Sequence, residues 1–302
     1  MYKRMLVLLD GSKMSEVVFS YARELSGRLG LDLDLLHVCR SEEADQLPMR
    51  QAYVEHMAEA LKAQSEELQN ETGAGSGPKA IEARGTVLVG YPAEEILKYA
   101  EENSIDIIVM ATHGRSGIRR WGLGSVADKV IHEADIPIWL VPAHLHNDIL
   151  HDKTPERIIL VPLDGSEVAE AIIPHVIVLA RQRAAESDII LVNVTSPSSV
   201  TLSEQEKAMI GENSAYLRTT GQMYLKQVAK QFKDAGLKVE TEQLVGDPAE
   251  EIVRFAANYR PRLIAMSTHG RSGFSRFVFG SVAENILRRL QKTPVFLVRP
   301  EH

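Results

Sequence analysis

The sequence predicts an α/β protein of two tandem doubly wound domains, each a five-stranded parallel sheet with helices on both faces. Two observations predict it. Short runs rich in Val, Ile and Leu alternate with longer helical stretches, and the whole pattern occurs twice along the 302 residues. The runs show little polar alternation, as in strands buried on both faces. Strands alternating with helices give a parallel sheet covered on both sides.

The duplication is read from matched segments. MATHGRSG at 110–117 returns as MSTHGRSG at 266–273, a shift of 156 residues. MLVLLDGS (5–12) matches ILVPLDGS (159–166), and DLDLLHV (32–38) matches SDIILVNV (187–194). VGYPAEEI (89–96) matches VGDPAEEI (245–252), GSVADKVI (124–131) matches GSVAENIL (280–287), and IPIWLVP (136–142) matches TPVFLVRP (293–300). A period this long is a domain duplication rather than a solenoid. The expected domains are 1–143 and 156–302, joined by a polar linker at 144–155 that ends in Thr154-Pro155.

In the first domain the expected strands are 3–9, 32–38, 80–87, 105–111 and 137–141, with helices near 14–29, 49–71, 92–103 and 124–134. The opening MYKRMLVLLDGS reads as a first buried strand, because Asp10 stops the apolar run before it reaches the length of a secretory signal. Pro92 and Pro248 stand where helices begin, a position that tolerates proline. Asp247 is a good N-cap, whereas its counterpart Tyr91 is not. GAGSGPK (73–79) reads as a loop.

Composition narrows the function. A net charge of −7 argues against general nucleic-acid binding, which relies on phosphate neutralisation. No apolar run approaches the roughly 18 residues of a membrane span. A single cysteine, Cys39, excludes an internal disulfide and fits a reducing cytoplasm. The linker carries His144, His146, His151, Asp148 and Asp152, but their spacing matches no familiar metal site.

Two repeated segments carry the candidate chemistry. In open α/β sheets, ligands bind beyond the carboxyl ends of the strands, where strand order reverses. Asp10-Gly11-Ser12 and Asp164-Gly165-Ser166 end the first strand of each domain. Ala111-Thr112-His113-Gly114 and Ser267-Thr268-His269-Gly270 end the fourth. With strand order 3-2-1-4-5, both segments face one crevice. Gly114, Gly117, Gly270 and Gly273 permit close backbone approach. Gly124-Ser125 and Gly280-Ser281 then open a helix, whose N-terminus favours a phosphate. Ser125 and Ser281 can donate a hydroxyl or cap the helix. Arg115, Arg119, Arg120, Arg271 and Arg276 place cations around these loops. The features together suggest a nucleotide polyphosphate, with Asp10 near the adenine or ribose. A glycine-rich turn made for folding alone is the simpler alternative.

The chain resembles the universal stress protein family, whose nucleotide-binding pattern is Gly-x2-Gly-x9-Gly-Ser/Thr. Its second Gly, nine-residue gap and Gly-Ser fall on Gly114 and Gly124-Ser125, and on Gly270 and Gly280-Ser281. The first Gly is replaced by Ala111 and Ser267, both small. The resemblance implies the strand order 3-2-1-4-5 and ATP, with or without Mg²⁺, or ADP or AMP, in each domain. Asp10 and the Val38 backbone would contact adenine. Gly114 and Arg115 would flank ribose and phosphates, and Gly124, Ser125 and Val126 would hold phosphates. The second set is Asp164, Val194, Gly270, Arg271, Gly280, Ser281 and Val282. It also implies internal pairing of the two domains through their fifth strands, IWLV (138–141) and FLV (296–298), and allows a homodimer.

No GxxxxGK[ST] motif is present, and no Cys/His or Ser/His pair recurs at catalytic spacing in both repeats. His113 and His269 recur next to the crevice, where an imidazole can serve as a general base or hydrogen-bond the loop. Three functions follow: a nucleotide-binding stress-response regulator, a slow ATPase or phosphotransferase, or a nucleotide-free interaction protein.

Overall fold

The computed structural model describes residues 2–72, 80–113, 123–143, 145, 158–181, 188–196, 214–269, 280–289 and 292–300. The chain divides into two units, Met1–Lys153 and Thr154–His302. In the first, five strands run β1 (Arg4–Leu9), β2 (Asp32–Cys39), β3 (Ala83–Val89), β4 (Ile107–Ala111) and β5 (Ile138–Val141). All pairings are parallel, in the order β3-β2-β1-β4-β5. The chain moves outward from β1 through β2 to β3, then returns to β4 on the other side of β1. This reversal leaves an open crevice between the carboxyl ends of β1 and β4.

Among the described residues four helices cover the sheet: α1 (Val18–Leu29), α2 (Leu47–Thr72), α3 (Pro92–Glu102) and α4 (Ser125–Glu133). The expected helix over 14–29 begins with a 3-10 turn at Ser15–Val17. Strand β3 sits later than the expected 80–87. Its ladder with β2 continues to the pair Cys39↔Val89, while Ile81 is buried ahead of the strand. The core is apolar strand residues: Met5, Leu6, Val7, Leu33, Leu35, Ile107, Ile108 and Val109 are fully buried. At roughly 1.5–3 kcal/mol each, such side chains dominate the driving force for folding.

The second unit repeats the plan. Its strands are β6 (Ile158–Pro162), β7 (Asp188–Thr195), β8 (Lys238–Val245), β9 (Leu263–Ser267) and β10 (Val295–Val298). They pair in parallel in the order β8-β7-β6-β9-β10. The helices are α5 (Glu167–Glu170), α6 (Ile173–Arg181), α7 (Ser214–Asp234), α8 (Pro248–Tyr259) and α9 (Ser281–Arg289). The break between α5 and α6 has a cause in Pro174. It has no N–H to donate, and its ring clashes with the carbonyl four residues back, that of Glu170 at the end of α5. Asp247 caps α8, its carboxylate accepting from the Glu250 N–H at 2.9 Å, whereas Tyr91 makes no such bond to α3.

Strand β3 lies at an edge of its sheet, where unpaired peptide groups invite aggregation. Gln51 of α2 engages it: its amide donates to Gly85 O (2.9 Å) and accepts from Val87 N–H (3.0 Å). That grip requires glycine at 85, because a Cβ there would lie 2.5 Å from the backbone nitrogen of Glu55. Gly85→Ala is expected to push α2 from the sheet and destabilise the first unit by about 1–3 kcal/mol, the usual range for overpacking. Urea unfolding followed by tryptophan fluorescence reads this unit, since Trp121 and Trp139 both belong to it. An unchanged midpoint would refute the close approach.

Candidate functional site

Each Asp-Gly-Ser segment folds back on itself. Asp10 Oδ1 accepts from the Ser12 N–H (3.0 Å) and hydroxyl (2.7 Å). Asp164 Oδ1 accepts from the Ser166 N–H (3.0 Å) and hydroxyl (2.6 Å). Between them Gly11 (φ 77°) and Gly165 (φ 86°) take the left-handed conformation that favours glycine. The repeated triplet is therefore an Asx turn that leads from the first strand to the next helix.

The segment after the fourth strand is organised by threonine. The Thr112 N–H donates to Val141 O (2.8 Å), and Thr112 O accepts from the Gly124 N–H (2.9 Å). In the second unit the Thr268 N–H donates to Val298 O (2.9 Å), and Thr268 O accepts from Gly280 N–H (2.9 Å). One buried residue thus joins the fourth strand to the fifth and closes the following loop onto its helix. His113 Nδ1 and His269 Nδ1 each lie within hydrogen-bond distance of the preceding threonine hydroxyl, at 3.0 and 2.8 Å.

Gly124 is the N-cap of α4, with φ −64° and ψ 149°. Ser125 is the first helical residue, so of its two expected roles the cap belongs to Gly124. The first intrahelical bonds run from Asp128 N–H to Gly124 O (2.8 Å) and from Glu284 N–H to Gly280 O (2.9 Å). The N–H groups of Ser125, Val126 and Ala127, and of Ser281, Val282 and Ala283, therefore have no intrahelical acceptor.

In the second unit these elements enclose a cavity of about 230 Å³. Its apolar walls come from Val192 and Val194 of β7, Met266 of β9, Ile252 of α8 and Ile286 of α9. Its polar groups converge from three strand ends and a helix start. All seven described residues nominated in this unit line it: Asp164, Val194, Ser267, His269, Gly280, Ser281 and Val282. In the first unit Asp10, Val38, Ala111, His113, Gly124, Ser125 and Val126 hold the same strand ends and helix start. Gly114, Arg115, Gly117, Gly270, Arg271 and Gly273 lie outside the described residues, as do Arg119, Arg120, Arg276 and the linker histidines.

The signature of the universal stress protein family matches residues 1–142 and 156–299. The chain belongs to the universal stress protein family. A universal stress protein of Methanocaldococcus jannaschii is 38% identical over 141 residues, which is 47% of this chain and 81% of that protein. One from Mycobacterium tuberculosis is 22% identical over 302 residues, covering 97% of this chain and 96% of its own. The crystal structure of a universal stress protein from Archaeoglobus fulgidus shares the fold, with TM-score 0.61, 20% identity and 98% coverage of both chains.

Two features of this universal stress protein were not apparent in its sequence. First, the carbonyl before each Asx turn is held by a side chain of the second strand. His37 Nδ1 donates to Leu9 O (2.9 Å), and Asn193 Nδ2 donates to Leu163 O (2.8 Å). His37 Nε2 accepts from Arg50 Nη1 (2.6 Å). A carbonyl cannot donate and a guanidinium cannot accept, so His37 is neutral with its proton on Nδ1. Second, a tyrosine of the long helix meets the glutamate that follows each turn. The Tyr53 hydroxyl donates to Glu16 Oε1 (2.7 Å), and the buried Tyr224 hydroxyl lies close to the carboxylates of Glu170 and Asp164. The matching pattern was hidden because Tyr224 follows Tyr53 by more residues than the repeat shift.

Among the described residues no group of His, Cys, Asp and Glu is placed to hold a metal ion, and no helix is long and apolar enough to cross a membrane.

Burial, and then the facing glutamate, raise the pKa of Tyr53 and of Tyr224 above the ordinary phenol value. Both folded values exceed the unfolded one. Their contribution to stability is thus complete below about pH 10 and disappears as pH rises through the folded values. Phenolate absorbance of the native chain should show tyrosines that stay protonated above pH 10, with smaller late amplitude in Tyr53→Phe and Tyr224→Phe. Ionisation of every tyrosine in one step near pH 10 would refute these pairs.

Proposed function

We propose that each unit binds one adenine nucleotide, foremost ATP, in the crevice at the carboxyl ends of its strands. The protein would then act as a cytoplasmic stress-response regulator whose conformation or partners follow nucleotide occupancy. The observation that carries this reading is the apolar cavity that gathers all seven described residues nominated in the second unit. A pocket with apolar walls and a few convergent polar groups is the usual form of a small-molecule site.

The chemistry of the walls fits the parts of a nucleotide. Val192, Val194 and Ile252 offer apolar surface to a base. Asp164 has its Oδ1 fixed by Ser166, which orients the carboxylate towards an exocyclic amine or a ribose hydroxyl. The N–H groups of Ser281, Val282 and Ala283 and the positive end of α9 favour phosphates. Gly280 contributes shape, since its own N–H already donates to Thr268 O. In the first unit Gly124 does the same: a Cβ there would stand 3.3 Å from Thr112 O.

The test is isothermal titration of the full chain with ATP, comparing wild type with Val126→Glu, Val282→Glu and the double variant. A carboxylate at these positions suits the first turn of a helix but repels phosphate. Two sites in wild type, one in each single variant and none in the double variant are expected. A folded wild type that takes up no ATP overturns the reading. Phosphate release that falls in His113→Ala or His269→Ala would instead assign a slow ATPase.

A further inference from the structure

The two crevices share their floor and closure but differ at one lip. In the second unit Ser196 follows β7 and lines the cavity, as does Pro248 at the start of α8. The Gly246 N–H donates to Thr195 O (3.1 Å), which holds these two chain segments side by side. The first unit repeats the arrangement: the Gly90 N–H donates to Cys39 O (2.9 Å), after matched ladders ending at Cys39↔Val89 and Thr195↔Val245. The residues carried there are different. Arg40 takes the place of Ser196, and Tyr91 takes the place of Asp247.

Tyr91 is exposed for 79% of its surface, beside the partly exposed Val89. It sits at the N-cap of α3, where its side chain makes no capping bond, while Asp247 caps α8. An aromatic ring thus stands where the other unit has a helix-stabilising carboxylate, exposed to water and next in sequence to Pro92, whose counterpart Pro248 lines the second cavity. A local rule broken without structural gain points to function. Arg40 is also exposed; its backbone N–H is held by Glu43 Oε2 (3.3 Å), and the Glu43 carboxylate in turn pairs with Arg50 (3.2 Å). The lip therefore offers two planar groups, a phenol and a guanidinium, on adjoining segments. Both stack on the face of a purine.

We infer that Tyr91 and Arg40 make the first crevice the tighter of two unequal nucleotide sites, by stacking on the base. This rests on the nucleotide reading of both crevices. Stacking is sequence-tolerant and little affected by salt, unlike contacts to phosphate. Removing an aromatic that stacks on a base weakens binding by about fivefold to a hundredfold.

The experiment titrates the full chain with ATP and with adenosine, at low and high salt. Wild type should bind ATP in two steps of unequal affinity, with Val126→Glu abolishing the tighter step and Val282→Glu the weaker. Tyr91→Asp with Arg40→Ser should bring the tighter step down to the weaker. The reverse graft, Asp247→Tyr with Ser196→Arg, should raise the weaker one. Tyr91→Ala should weaken ATP and adenosine by the same factor at both salt concentrations. Two equal ATP sites, or a lip exchange that moves neither, overturns the inference and leaves the nucleotide reading intact. A folded chain that binds neither ligand overturns both.

Discussion

The hydrogen bond from Gly124 N–H to Thr112 O, and its copy from Gly280 to Thr268, is the constraint on which each crevice depends. The same threonine is anchored through its own N–H to the fifth strand. The start of α4 or α9 is thereby fixed against two strand ends at once. Whatever the intervening loop does, the helix N-terminus cannot drift from the mouth of the crevice without breaking a bond beneath it. Glycine suits the approach: a Cβ at 124 would stand only 3.3 Å from Thr112 O, a contact that backbone must shift by a few tenths of an ångström to relieve. The N–H that closes the loop is also removed from the set without an intrahelical acceptor. The pattern Gly-Ser thus divides labour, with glycine holding the backbone and the next residues presenting their amides.

A second constraint lies beside the first strand, where the two units meet one need with different chemistry. The carbonyl before each aspartate requires a donor from the second strand. In the first unit His37 supplies it and Arg50 satisfies the other ring nitrogen. In the second unit Asn193 supplies it, and Gly221 stands on the long helix. The Gln243 side chain fills the space above that glycine so closely that a Cβ there would meet its Oε1 at 1.8 Å. The Gln243 amide also donates to Thr195 Oγ1 (2.8 Å). Changing only one member of either set would leave a buried polar group unmatched, a loss of about 1–3 kcal/mol.

Most of the fold was legible because its signals are local. Strands β1, β4, β5, β6, β9 and β10 are nearly continuous apolar runs. The crevice was legible because duplication repeated its spacing. What stayed hidden depends on partners far apart in the chain. The end of β3 is set by its ladder with β2, and Gln51 engages Gly85 across 34 residues. Tyr53 and Tyr224, which face Glu16 and Glu170, lie on the long helices whose sequences have diverged most, so alignment by shift could not match them. Ser125 was open to two roles because a cap is defined by backbone angles, which one residue shift at the helix start decides.

Duplication within one chain changes what such a crevice can become. In a symmetric dimer of identical single domains, both sites are built from the same residues, and any change at the lip is made twice. Here the lip residues are encoded separately. Tyr91 and Asp247, or Arg40 and Ser196, can differ while each Thr–Gly closure and Asx turn stays the same. The contrast in exposure follows this division. The residues that close the crevice are buried, with Thr112 at 8% and Thr268 at 4% exposure, whereas Tyr91 at the lip is at 79%. Buried backbone contacts tolerate little change, since each alteration costs folding free energy in its own unit. An exposed lip is free of that restraint. It is the part of the site where two copies can acquire different ligand affinities without either losing its fold.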